Sequence, residues 1–162
     1  MNKLAISLAA LATATFGLPS VAHADWYAGA GYTQYDPDGA DETGGVTGRL
    51  GYRMNPNFAV EGEGTLGTDE GSNSELNSAV GAYAVGILPI GSSGFEVHGR
   101  AGYNHLDIDR DAAPDLNSGG FSYGAGVGWQ ATQRIGIRAD WTRTDTDDGD
   151  ADGISLGGTF NF

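Results

Sequence analysis

Beyond its first 24 residues, three groups of side chains in this 162-residue sequence have types and spacings that could do chemistry. The first is a pair of histidines. A hydrolytic site needs a nucleophile in reach of a histidine that an acid orients, and the chain has no cysteine to serve. His98 lies between Glu96 and Arg100 at every second residue, a spacing that suits a structural hydrogen bond. His105 ends the same segment on the opposite, apolar face, with no serine two residues away. No catalytic residue is expected, so the reading is of a protein that is not an enzyme. The second group is Asp148-Gly149-Asp150-Ala151-Asp152-Gly153, the first half of a calcium loop. Its twelfth position, normally a bidentate glutamate, is Thr159. Asp148, Asp150 and Asp152 are therefore weak candidates for loose divalent-cation binding in a solvated acidic loop, and Asp107, Asp109, Asp111 and Asp115 have the same standing. No cofactor is expected. The third group is Arg49, Glu61, Glu63, His98, Arg100, Arg138 and Asp140, which alternate with glycines and apolar residues.

Those side chains need elements to position them. Residues 1–24 carry Lys3, an apolar stretch from Leu4 to Leu18, and Ala22-His23-Ala24 before Asp25. A basic end, a short apolar region and an A-x-A site form the pattern of a secretory signal peptide. Cleavage at Ala22 and Ala24 is expected, leaving one domain over 25–162. No later window keeps a 3.6-residue apolar period, whereas eight segments alternate. Trp26, Ala28, Ala30 and Tyr32 alternate with Tyr27, Gly29, Gly31 and Thr33. Similar patterns cover 45–53, 58–66, 95–105, 121–130, 135–142 and 153–162. In 78–88, Tyr83, Val85 and Ile87 compete with Val80, Ala82, Ala84 and Leu88 for the apolar face, so the register stays open.

Long acidic connections (36–44, 67–75, 107–119, 143–152) alternate with short turns (54–57, 89–94, 131–133). An up-and-down meander of this kind puts the long connections at one end, and pairing the first strand with the last removes both sheet edges. The expected fold is all-β: an eight-stranded antiparallel up-and-down barrel.

A soluble barrel hides its apolar face, and a membrane barrel turns that face to lipid. Three features favour lipid. The chain has no lysine after residue 24, although lysine is common on wetted strand faces. Glycines crowd the polar face, where a narrow lumen needs room. Aromatics gather at both ends of the apolar face: Trp26, Tyr52, Phe58, Phe95, Trp129, Phe160 and Phe162 near the short turns, and Tyr32, Tyr103, Phe121 and Trp141 near the long connections. Segments of this length can cross an outer-membrane band when tilted. The polar face holds Glu61, Glu63, Glu96 and Asp140 against Arg49, Arg53, Arg100 and Arg138, so the lumen is expected to be neutral. Without Lys3 of the leader the net charge of −13 becomes −14, and all of it then belongs to the long connections, which hold 16 carboxylates and only Arg110 and Arg143. With the remaining arginines spread singly, no nucleic-acid partner is expected.

Several stretches resemble the small OmpA/OmpX-type outer-membrane barrels. They are Trp26-Tyr27-Ala28-Gly29-Ala30-Gly31-Tyr32, Gly51-Tyr52-Arg53-Met54-Asn55-Pro56, Leu88-Pro89-Ile90, Gly99-Arg100-Ala101-Gly102-Tyr103 and Ser155-Leu156-Gly157-Gly158-Thr159-Phe160-Asn161-Phe162. The resemblance implies an integral protein of a Gram-negative outer membrane, in contact with lipid and lipopolysaccharide. It also implies that Phe160 and Phe162 form the C-terminal signal read by the barrel assembly machinery. Glu61, Arg100 and Arg138 fall where that family keeps luminal charges, whereas Val85 and Gly128 stand where it has a basic and an acidic partner. The implied role is structural support of the envelope or surface interaction, with divalent cations as possible partners of the acidic connections. Two alternatives stand beside it: a lipid A-modifying enzyme, and a narrow, low-conductance channel. Eight strands leave an interior that side chains just fill, which disfavours a wide pore.

Overall fold

A computed structural model describes residues 25–37, 42–68, 74–110, 116–146 and 149–162; the side chains of Pro37, Ser74, Glu75, 108–110 and 116–118 lie outside that description. The proposed leader, with Ala22 and Ala24, falls outside it too.

Eight strands run in chain order: β1 Asp25–Pro37, β2 Thr43–Asn55, β3 Phe58–Gly67, β4 Ser74–Ile90, β5 Phe95–Arg110, β6 Leu116–Gln130, β7 Ile135–Thr146 and β8 Gly149–Asn161. Each pairs antiparallel with its neighbours, and β1 pairs with β8 to close the barrel, with Tyr32 opposite Leu156. Closure leaves the sheet without a free edge strand. Three short turns join the strands at one end. One uses Gly91 (φ 57°) and Gly94 (φ 79°), left-handed conformations that glycine adopts at little cost.

The alternation expected from the sequence is the alternation observed. Val46, Leu50, Val60, Leu66, Val97, Val127, Ile137 and Leu156 point outward and are exposed, while Thr47, Glu61, Thr65, His98, Arg100, Arg138 and Asp140 point inward and are buried. The unsettled fourth segment has one register: Ala79, Tyr83, Val85 and Ile87 face in, and Val80, Ala84 and Leu88 face out. A shift between Leu76 and Ser78 fixes this phase above the lipid-facing stretch, because one extra residue reverses which side chains face inward.

Two expectations need correction. The acidic connections are shorter than the sequence suggests, because β5 continues to Arg110, β6 begins at Leu116, and β7 and β8 run to Thr146 and from Gly149. Threonine, aspartate and small residues pair above the apolar band as readily as within it, since backbone hydrogen bonds do not depend on lipid. The expected 143–152 loop is thus mostly a hairpin, with Arg143 opposite Asp152 and Asp145 opposite Asp150. Nor is the inward face polar throughout: Tyr35, Leu76, Ala79, Leu106 and Ala151 form a buried apolar layer at the long-connection end. Alternation reports which face a residue is on and says nothing of its height in the barrel.

Candidate functional site

The interior is built around three carboxylates and three guanidinium groups. Arg49 on β2 donates from Nε to Glu63 Oε2 at 2.8 Å and from NH1 to Asp140 Oδ2 at 3.1 Å. Arg100 on β5 donates from both terminal nitrogens to Glu63 Oε2 at 3.1 Å. Arg138 on β7 binds Asp140 through Nε at 2.9 and 3.0 Å, and reaches Glu61 with NH1 and with NH2, the latter at 3.4 Å. Tyr27 donates its hydroxyl to Glu61 Oε1 at 2.5 Å, and His98 Nε2 lies 2.6 Å from Asp140 Oδ1. Three carboxylates and three guanidinium groups cancel in charge. That balance is what burial demands, since an uncompensated ion inside a barrel costs several kcal/mol or more.

All seven residues foreseen for the luminal cluster are therefore in it. Arg53 and Glu96 pair with each other at 3.2 Å nearer the short-turn end, with side chains 25% and 13% exposed. Tyr27 and Tyr83 escaped the sequence reading. The Arg100 guanidinium stacks over the Tyr83 ring at 3.6 Å, a cation–π contact that compensates for an Nε without a hydrogen-bond partner among the described residues. The signal was present for Tyr27, which sits on the glycine-bearing face of its segment, whereas the segment of Tyr83 has Gly81 on one face and Gly86 on the other. Glycine makes their room directly, since a Cβ at Gly51 would overlap the Tyr27 ring and one at Gly81 would overlap the Tyr83 ring. Above the charges, hydroxyls bridge neighbouring strands, Thr33 to Thr47 at 2.6 Å, Thr47 to Thr65 at 2.8 Å and Ser122 to Thr144 at 2.7 Å.

Side chains nearly fill the lumen. Among the described residues its voids are separate pockets of about 20 Å³ beside Gly29, Arg49 and Gly157, about 10 Å³ beside Arg53 and Glu96, and about 10 Å³ beneath Tyr35. Each is near the size of one water.

Outside, aromatic pairs mark two levels. Near the short turns Trp26 meets Tyr52 at 5.1 Å, Phe95 meets Trp129 at 6.0 Å, and Phe160 meets Phe162 at 5.5 Å. Toward the long connections Phe121, Tyr123 and Trp141 form a chain at 6.2 and 6.4 Å. Valines, leucines and isoleucines stand exposed between them. A water-soluble surface does not present apolar area on this scale, whereas a lipid-facing one bounded by aromatic girdles does.

Beyond the upper aromatics lie the acidic residues of the strand ends. Arg143 binds Asp152 through Nε at 2.9 Å and NH2 at 2.5 Å, in register with Asp36 on β1. Of the weak cation candidates, Asp150 and Asp152 belong to a strand and Arg143 holds Asp152, while Asp148 lies outside the described residues. No group of three or more His, Asp or Glu among the described residues could hold a metal ion. His105 is exposed on the outer face as expected. The register adds what a reading along the strand missed: Ser78 is opposite Asp107, two residues from His105, although no side-chain hydrogen bond is seen among the three.

Solved structures with the same architecture include Ail, the attachment invasion locus protein of Yersinia pestis. It is 19% identical, with a TM-score of 0.64, covering 86% of this chain and 99% of that one. The N-terminal barrel domain of Pseudomonas aeruginosa OprF (15% identical, TM-score 0.65, 86% and 100% covered) and P. aeruginosa OprG (14%, 0.64, 86% and 96%) are similar to it as well. At these identities the likeness is one of fold. No curated protein matches the sequence. Residues 4–162 match the profile described as outer membrane protein beta-barrel domain, and on that match, which spans nearly the whole sequence, the chain belongs to the outer-membrane β-barrel family.

Proposed function

We propose that this protein is an integral outer-membrane barrel, delivered by a cleaved leader, whose role is to support the envelope and present an acidic rim at the cell surface. The observation that carries the reading is the filled lumen: ion pairs and water-sized voids occupy the path a solute would take. A built-in channel would instead keep a continuous polar bore. The outward-facing aromatic pair Phe160 and Phe162 closes the last strand, where the assembly machinery would read it. Asp36, Asp145, Asp150 and Asp152 project at the level of phosphorylated lipopolysaccharide with Arg143 as their described cation, so magnesium or calcium is the natural bridge between rim and lipid. A Yersinia pestis Ail structure contains the heparin analogue sucrose octasulfate, but a polyanion of that kind suits this acidic rim poorly.

Two measurements test the role. Planar bilayers containing the purified protein should show no steady conductance, and a persistent single-protein current would overturn the plugged-barrel reading. Cells lacking the protein should become more sensitive to chelators and detergents. The wild-type chain should restore resistance, and a chain with all four rim aspartates changed to asparagine should not.

A further inference from the structure

The inward face differs between the two ends of the barrel. Near the short turns it is mixed, with Ala59, Val85 and Ile87 buried beside polar groups that are wetted: the Arg53–Glu96 pair is partly exposed, and Asn161 bonds Gln130 at 3.2 Å beside it. The charge cluster comes next, then the hydroxyl layer of Thr33, Thr47, Thr65, Ser122 and Thr144. At the long-connection end Tyr35 from β1, Leu76 and Ala79 from β4, Leu106 from β5 and Ala151 from β8 close over these layers, at 0–4% exposure. The void beneath Tyr35 is lined by Thr33, Glu63, Arg100 and Asn104, so it lies on the inner side of the apolar layer.

A water or ion entering from the long-connection end must cross a layer whose described polar side-chain groups are few, the hydroxyls of Tyr35 and of Thr43, the latter already accepting from Leu76 N at 3.0 Å. A narrow passage lined in that way expels water even before it is sterically shut. At the other end the groups it meets are charged and partly solvated already. We propose that the Tyr35–Leu76–Leu106–Ala151 layer is the outer seal of the lumen: from the short turns water reaches the Arg53–Glu96 pair and is stopped by the ion-pair cluster, and from the long connections it is stopped by this layer, above the hydroxyls. In the membrane placement proposed above, on which the sidedness rests, the wetted end faces the periplasm and the sealed end faces the cell surface.

The absence of cysteine makes the test direct. Thr65→Cys places a thiol in the hydroxyl layer, and Thr159→Cys places one beside the Arg53–Glu96 pair. The full chain, folded in detergent micelles with both barrel ends accessible, is treated with a small cationic methanethiosulfonate reagent. Thr159→Cys should react readily, and Thr65→Cys should react at least roughly tenfold more slowly, because the reagent then waits on local opening. Adding Leu76→Ser and Leu106→Ser should bring the Thr65→Cys rate up toward that of Thr159→Cys, whereas adding Arg53→Gln and Glu96→Gln should leave it slow. Leu106→Ser alone serves if the double change does not fold, and the faster gel migration of the unboiled barrel reports folding in every case. Fast labelling of Thr65→Cys with the seal intact, or slow labelling after the seal is cut, overturns the proposal. If the chain forms no barrel in micelles, the unboiled mobility shift is missing, which separates failure of the membrane reading from failure of the seal.

Discussion

Arg138 on β7 holds Glu61 on β3 across the full width of the lumen, since three strands lie between β3 and β7 in either direction around the ring. The contact is a spoke and not a neighbour pairing, and Tyr27 and Arg49 converge on the same carboxylate. Loss of one partner leaves the other charged and buried. Arg138→Ala should cost about 3–5 kcal/mol of unfolding free energy, because both Glu61 and Asp140 lose a cation. The paired change Arg138→Met with Glu61→Gln should cost clearly less than the sum of its parts. Urea titration of the barrel refolded in lipid vesicles measures both.

Tyr27 occupies the volume that a side chain at Gly51 would fill. Gly51→Val should therefore displace the Tyr27 ring from Glu61 and destabilise the barrel by about 1–3 kcal/mol, the usual cost of overpacking. Adding Tyr27→Ala should recover part of that loss. The temperature at which the unboiled gel band converts to the boiled one ranks the variants. Equal thresholds for wild type and Gly51→Val would refute the packing.

Arg143 and Asp152 form the best-aligned ion pair outside the lumen, but their side chains are 37% and 34% exposed. Solvent screening should leave their coupling far below that of Arg138 with Glu61 in a double-mutant cycle with Arg143→Gln and Asp152→Asn, and high salt should weaken it further. A coupling as large as that of Arg138 with Glu61 would mean that this end of the barrel is far less wet than the exposures imply.

Leu156 on β8 points outward, 65% exposed, between the two aromatic levels. Facing lipid, Leu156→Arg should cost about 2–4 kcal/mol, the range for a cation near the midplane. Facing water, the same change would be nearly neutral. The urea midpoint in vesicles decides between them.

Much of this was legible because a strand has the shortest possible period. Once Glu61, Arg100 and Arg138 share the face of Gly51, Gly126 and Gly136, the composition of the interior follows. The lack of lysine and the aromatics at segment ends say which face meets lipid. Three things were not legible. Alternation gives a face and not a partner, so the spoke from Arg138 to Glu61 and the approach of Ser78 to Asp107 and His105 depend on register. Where both faces are apolar, as around Tyr83 and Val85, only the pairing of β4 with β3 and β5 breaks the tie. Aspartates read as loop residues on composition, yet Asp145, Asp150 and Asp152 sit in a hairpin that Arg143 reinforces.

The central claim is that the apolar face of this barrel meets lipid and its charged face is the plugged interior. Fractionation of cells producing the protein, with boiled and unboiled samples run side by side on SDS gels, tests it most directly. A lipid-facing barrel sediments with the outer membrane and migrates faster unboiled than boiled. Recovery in the soluble fraction, with identical mobility in both samples, would contradict it.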